Sequence, residues 1–134
     1  MRVAIMALMV VAGVTGCAHP GKGDLAEQGE TWQQPMRGSI DQISGCLSDW
    51  FNKEDPASIW DLRTPVTTSM PRADGLELVA SAPVGMWYWS IQLMDRSDGV
   101  LAVAIARRTG GPPSLSKDYM ANKVKTALAS CGAY

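Results

Sequence analysis

Few residues in this 134-residue chain have side chains suited to chemistry. His19 is the only histidine, so no second imidazole is present to complete a metal site or an acid–base pair with it. No serine has a Gly-x-Ser-x-Gly setting, and Gly110-Gly111 is not followed by the lysine of a phosphate-binding loop. The sequence therefore predicts a protein that is not an enzyme and has no catalytic, metal or cofactor site. The remaining reactive candidates are the cysteines, Cys17, Cys46 and Cys131.

The charge balance argues against nucleic acid as a partner. The chain carries 12 Lys and Arg against 13 Asp and Glu, and residues 1–16 contain only one charge, on Arg2. Without them the net charge is −2, with 11 basic against 13 acidic side chains. Nucleic-acid binding requires a clustered basic footprint, which this composition does not favour. The length allows one folded domain.

The first residues have the pattern of an export signal. Arg2 precedes an apolar run over residues 3–14, which suits a signal-peptide core and is too short to cross a bilayer as a helix. The run leads into Val14-Thr15-Gly16-Cys17, which resembles the lipobox of bacterial lipoprotein precursors. Gly16 and Cys17 match that motif, whereas Val14 and Thr15 replace its usual Leu and its Ser or Ala.

The lipobox resemblance implies an address and an anchor. Residues 1–16 would be the lipoprotein signal peptide, and Cys17 would carry a thioether-linked diacylglycerol that binds the lipid bilayer. Each buried methylene contributes about 0.8 kcal/mol, so two or three acyl chains hold a protein firmly. Ala18, in place of an Asp after the Cys, implies the inner leaflet of the outer membrane, facing the periplasm. The alternative is ordinary secretion after a cut near Ala18, with Cys17 unlipidated.

If Cys17 carries lipid, the other two cysteines form an even pair in a compartment that favours disulfides. We therefore expect a Cys46–Cys131 disulfide. Closing a loop of about 85 residues should stabilise the fold by roughly 4 kcal/mol on the chain-entropy model.

Residues 17–38 are expected to be the lipidated Cys and a flexible tether, because Gly and Pro recur and no apolar period is visible. Trp32 is the conspicuous apolar residue there. It is expected to pack on the domain edge or against lipid headgroups, with a role as a partner-binding anchor as the alternative. The folded domain is expected over residues 39–134.

Two helices are predicted at the ends of this domain. Ser39 and Gln42 fit a capping box, and an apolar stripe follows to about Asn52. A closing helix is predicted over residues 114–130, with Gly132 as its stop signal. The stripes comprise Ile40, Ile43, Cys46, Leu47, Trp50 and Phe51 in the first helix and Tyr119, Met120, Val124, Ala127, Leu128 and Cys131 in the second.

Between the helices the sequence predicts an edge strand over residues 64–70 and a meander of three strands, separated by turns at Asp74-Gly75 and Ser97-Asp98-Gly99. The predicted fold is α+β, in the order α-β-β-β-β-α. Its antiparallel sheet of three to four strands carries both helices on one face, joined by the disulfide.

Alternation predicts which side chains the helices cover. The expected covered face has the large residues: Leu76, Leu78, Trp87, Trp89, Ile91, Leu93, Leu101, Val103 and Ile105. The expected opposite face has the small and polar ones: Glu77, Val79, Ser81, Tyr88, Ser90, Gln92, Ala102 and Ala104. Tyr88, Ser90 and Gln92 form the candidate partner surface; ordinary solvent exposure is the alternative.

Cys46-Leu47-Ser48-Asp49-Trp50, together with Cys131, resembles the Cys-Leu-x-x-Trp segment and terminal Cys of small envelope lipoproteins of Gram-negative bacteria. We therefore expect a membrane-anchored, periplasm-facing lipoprotein that acts as a non-enzymatic interaction or accessory module, with an envelope protein as partner. One alternative is an inhibitor, immunity or exclusion lipoprotein. Another is a small hydrolase or ligand carrier, which would require a pocket.

Overall fold

A computed structural model describes residues 25–27, 29–54, 66–82, 87–108 and 118–134. A helical turn at residues 25–27 precedes five strands and two helices. The elements are β1 (Gly29–Met36), α1 (Ile40–Glu54), β2 (Val66–Arg72), β3 (Gly75–Ser81), β4 (Trp87–Arg96), β5 (Gly99–Arg107) and α2 (Tyr119–Ser130). The lipobox, Cys17 and His19 lie outside the described residues.

The five strands form one antiparallel sheet in the order β1-β5-β4-β3-β2. The α+β class and the antiparallel meander are confirmed, but the strand count is corrected from three or four to five. The additional strand is β1, which pairs with β5 from Gly29↔Arg107 to Met36↔Val100. The chain order is therefore β-α-β-β-β-β-α.

Strand β1 lies within the segment that was expected to be a tether. Its apolar residues, Trp32 and Met36, point to the helix side and are interrupted by polar ones, so the alternation is faint in the sequence. Pro35 is tolerated because β1 is an edge strand. The strand is stabilised by pairing with β5, which is adjacent in the sheet but about 70 residues later in the chain. Local sequence composition does not predict such a tertiary effect.

Helix α1 begins where the capping box predicts. The Ser39 backbone N–H donates to Gln42 Oε1 (3.1 Å), and the Gln42 N–H donates to Ser39 Oγ (3.2 Å). Ile43, Leu47 and Phe51 are buried along one stripe. The helix continues to Glu54, two residues beyond the predicted end.

Helix α2 ends as predicted, at a left-handed Gly132 (φ +114°). The Ala133 N–H donates to the Leu128 carbonyl (3.0 Å), the bond of a Schellman motif. Within the helix, the predicted stripe needs one correction. Tyr119 is exposed, and Ala121 is buried instead. Residues 114–117, where the helix was expected to begin, lie outside the described residues.

Both helices pack on the same sheet face, α1 over β3 and β4 and α2 over β5 and β1. Cys46 and Cys131 form the predicted disulfide between them, with their Cα atoms 5.7 Å apart. An aromatic contact of the core lies in this layer, where the ring of Phe51 stacks on Trp89 at 4.1 Å between centroids.

The predicted side-chain faces are correct for β3 and most of β4 and wrong for β5. A two-residue turn pairs Arg96 with Gly99, so the register continues as Leu93↔Ala102 and Ile91↔Ala104. Directly paired side chains share a face. The helices therefore cover the alanines of β5, and its larger residues lie on the opposite face. Those corrected residues are Ala102, Ala104 and Ala106 on the helix side and Leu101, Val103 and Ile105 on the other.

A β-bulge also changes the start of β4. Ala80 pairs with Trp89 but Ser81 pairs with Trp87, so Tyr88 is the extra residue. Tyr88 is 8% exposed and contacts the core, whereas Trp87 is half-buried. The bulge thus reverses the predicted placement of these two aromatic side chains.

Candidate functional site

The candidate site is the outer face, which we define as the sheet surface opposite the helices. Its members follow from the strand registers and include Thr31, Gln33, Pro35, Val66, Thr68, Met70, Arg72, Glu77, Val79, Ser90, Gln92, Met94, Leu101, Val103 and Ile105. The outer face contains a polar cluster on β2–β4 and an apolar row on β4 and β5.

The polar cluster is centred on Glu77, whose side chain is fully buried. Arg72 Nη2 donates to Glu77 Oε1 and Gln92 Nε2 donates to Oε2, both at 2.7 Å. Gln92 lies directly opposite Glu77 across the β3–β4 pair, and Arg72 reaches in from edge strand β2 with 40% of its side chain exposed. A buried carboxylate requires such donors, so the cluster fixes these three side chains relative to one another.

A cavity of about 290 Å³ lies beside this cluster, lined by residues that include Arg72, Asp74, Gln92 and Met94. That volume is at the lower limit for small-molecule pockets. Its guanidinium and amide groups already donate to Glu77. The cavity is thus a small recess with both polar and apolar lining residues beside the polar cluster.

The apolar row consists of Met94, Leu101, Val103 and Ile105, which are each half-buried. On the neighbouring edge strand, Thr31, Gln33 and Pro35 are exposed. The outer face therefore combines half-buried aliphatic groups on β4 and β5 with exposed side chains on edge strand β1.

The residues predicted as the partner surface have different environments. Ser90 and Gln92 lie on the outer face, but Ser90 is only 2% exposed and the Gln92 amide is engaged with Glu77. Tyr88 is buried, as described above. Partner binding stays a prediction, and the accessible side chains near these positions are those of the apolar row. Leu101, Val103 and Ile105 were missed, although the two-residue turn at Ser97-Asp98 was the signal that fixes their orientation.

Trp32 is half-buried against the core, with Lys125 Nζ 5.0 Å from its ring centroid. Lys125 also contacts Glu30 Oε1 at 3.3 Å.

In the described ranges, no group of three or more His, Cys, Asp or Glu side chains is placed to hold a metal ion. None of the helices within those ranges has the length and apolar character needed to cross a membrane. Searches against protein-family models, curated proteins and solved structures found no match to this chain.

Proposed function

We propose that this chain is a membrane-anchored lipoprotein, acylated at Cys17 and facing the periplasm, whose domain is a non-enzymatic interaction or accessory module of the cell envelope. The observation that carries the anchoring is Val14-Thr15-Gly16-Cys17, which begins at the last residue of the twelve-residue apolar run over residues 3–14. The proposed site is the inner leaflet of the outer membrane.

The disulfide supports an export address. Cys46 and Cys131 are bonded to each other, which is typical of proteins in oxidising compartments such as the periplasm. With these two cysteines paired, Cys17 is the remaining thiol, and it stands at the lipobox position.

The position of Leu25 supports a domain held close to the lipid. Leu25 is fully buried, and it is only eight residues after Cys17. At the maximal extension of about 3.5 Å per residue, its Cα lies within about 28 Å of the acylated residue. A tether that extended to residue 38 would allow the folded domain to lie much farther from the acylated Cys17. With the shorter tether, the domain would contact its partners next to the membrane.

The outer face supports an interaction role. Its apolar row, Met94, Leu101, Val103 and Ile105, presents half-buried aliphatic surface beside exposed Gln33. Side chains of this type add binding free energy when a partner removes them from water.

The anchor is tested with Cys17→Ala. This variant should be found in the soluble periplasmic fraction or remain as an unprocessed precursor, whereas the wild type should sediment with membranes. Cys131→Ser is the matched control, because it removes a cysteine without touching the lipobox and should stay with the membrane. Membrane sedimentation of mature Cys17→Ala would contradict the anchor.

The interaction role is tested by placing a photo-crosslinking residue in the full chain at Gln33, exposed on the outer face, or at Asp49, exposed on α1. A defined adduct should form in cells from position 33 and not from position 49. The same adduct should be lost when Val103→Asp is added, provided that the variant keeps its circular dichroism spectrum. Equal adducts from both positions, or none from position 33, would contradict this role for the outer face.

A further inference from the structure

The two ends of the sheet differ in the side chains that they expose. The Gly29 end, which we define by Gly29, Val66, Ser81, Trp87 and Arg107, is where β1 begins. The hairpin end is the opposite one, with the tight turns at residues 72–75 and 96–99. The nine residues of β5 run between them, a distance of about 27 Å.

The start of α2 also lies at the Gly29 end. Lys125 contacts Glu30 and Trp32, and Ala133 pairs with Met36, so α2 runs in the same direction as β1. Its first residue, Tyr119, therefore lies near the beginning of the strand. The chain terminus lies at the other end, where Arg37 stacks on the ring of Tyr134 at 4.7 Å.

Among the described residues, the exposed large apolar side chains are Val66 (45%), Tyr119 (38%) and Tyr134 (58%). Two of these three, Val66 and Tyr119, are at the Gly29 end, which also carries the half-buried Trp87 and the exposed Arg108. Tyr and Trp have an apolar ring and a polar tip, which suits them to the headgroup layer of a bilayer.

From this geometry we propose that the Gly29 end of the domain rests on the phospholipid headgroup layer, with Tyr119 and Val66 in contact and Arg108 at the same end, while the hairpin end points into the periplasm. The inference rests on the proposed acylation of Cys17. The acylated Cys17 lies within about 28 Å of Leu25 at maximal chain extension. Leu25 is four residues before Gly29, where β1 begins.

Among the described residues, the Gly29 end has no excess of positive charge. The exposed basic residues Arg108 and Lys53 are accompanied by three exposed acidic residues: Glu27 before β1, Glu54 at the end of α1 and Asp118 before α2. The orientation should therefore persist in 1 M salt, where the Debye length is about 3 Å. If the contact is lost in high salt, it is not made by the aromatic and aliphatic side chains of Tyr119 and Val66, and the proposal is overturned.

The test uses the full mature, acylated chain in vesicles of phosphatidylethanolamine and phosphatidylglycerol. A nitroxide spin label is placed by Arg108→Cys or, as the matched control, by Arg96→Cys, an arginine that is also exposed and lies at the hairpin end. Vesicle binding should lower the access of a water-soluble nickel chelate to the label at 108 severalfold and leave the label at 96 unchanged. Shielding of both labels equally, of 96 alone, or of neither would overturn the proposal.

Failure of the anchor is distinguishable from failure of the orientation. An unanchored chain would not float with the vesicles, whereas an anchored chain with a different orientation would float with the label at 108 still in water. A second pair of variants tests the aromatic contact. Tyr119→Ser should restore chelate access at 108, and Tyr134→Ser should not. Equal effects of the two substitutions would contradict the assignment of Tyr119.

Discussion

The two faces of the sheet share the same strands but are packed in different ways. On the helix side, β5 presents Ala102, Ala104 and Ala106, all fully buried, to a helix that itself buries Ala121 and Ala127. On the outer face, the same strand presents Leu101, Val103 and Ile105, which are only half-buried.

Small residues facing one another allow a helix and a sheet to approach closely, so volume on the helix side of β5 is restricted. Under α1 the pattern differs, because Phe51 stacks on the large residue Trp89, and Leu47 and Ile91 belong to the same core cluster. The comparison teaches that large apolar side chains do not by themselves mark the covered face. The strand register decides which side chains face the helices. The size of those side chains then matches the distance between the helix layer and the sheet.

The largest expected effect concerns the helix layer. Cys46→Ser removes the link between the two helices and should lower the free energy of unfolding by roughly 4 kcal/mol, because the unfolded chain gains loop entropy. Denaturant unfolding of the full mature chain without reductant measures this. In reductant the variant and wild type should unfold alike. Equal stability without reductant would contradict a stapled helix layer.

The next effect separates the two faces within one strand. Ala104→Leu inserts volume between β5 and α2 and should destabilise the protein by about 1–3 kcal/mol. Val103→Leu on the outer face should change stability by less than about 0.5 kcal/mol. Thermal unfolding compares the two, and similar losses would show that the faces are not packed differently.

A smaller effect is expected for the polar cluster of the outer face. Arg72→Met removes one donor to the buried Glu77 carboxylate, with a loss of about 1 kcal/mol because the arginine is partly solvated. Arg96→Met, at an exposed position, is the control and should stay within about 0.5 kcal/mol of wild type. If both substitutions cost the same, the contact at Arg72 contributes no net stability.

The smallest effect is expected where α2 meets edge strand β1. Lys125→Ala removes the contacts with Glu30 and Trp32, worth about 0.5 kcal/mol for exposed groups. The difference from wild type should shrink in 1 M salt, since exposed charges are screened. A loss above about 1 kcal/mol that is independent of salt would indicate packing of the lysine stem instead.

The parts of the fold with strong local signals were predictable. The Ser39–Gln42 capping box and its apolar stripe located α1, and Gly132 located the end of α2. The Cys46–Cys131 bond followed from the cysteine count and the compartment implied by the lipobox. Each of these depends on a few neighbouring residues or on a count.

The rest depends on non-local pairing. Strand β1 exists because β5 is available to pair with it, and its own polar residues and Pro35 favour a loop. The faces of β5 depend on whether its turn has two residues or three, since a slip of one residue exchanges them. At the candidate site, Ser90 and Gln92 were placed on the correct face. The burial of Ser90 and the Glu77 hydrogen bonds arise from tertiary neighbours that alternation does not specify.

Intact-mass and peptide mapping of the mature chain, isolated from membranes without reductant, test the anchored and stapled form in one experiment. The account predicts an N-terminal Cys17 that carries diacylglycerol and a peptide pair joined through Cys46 and Cys131. A mature chain with an unmodified Cys17, or with Cys46 and Cys131 as free thiols, would contradict it.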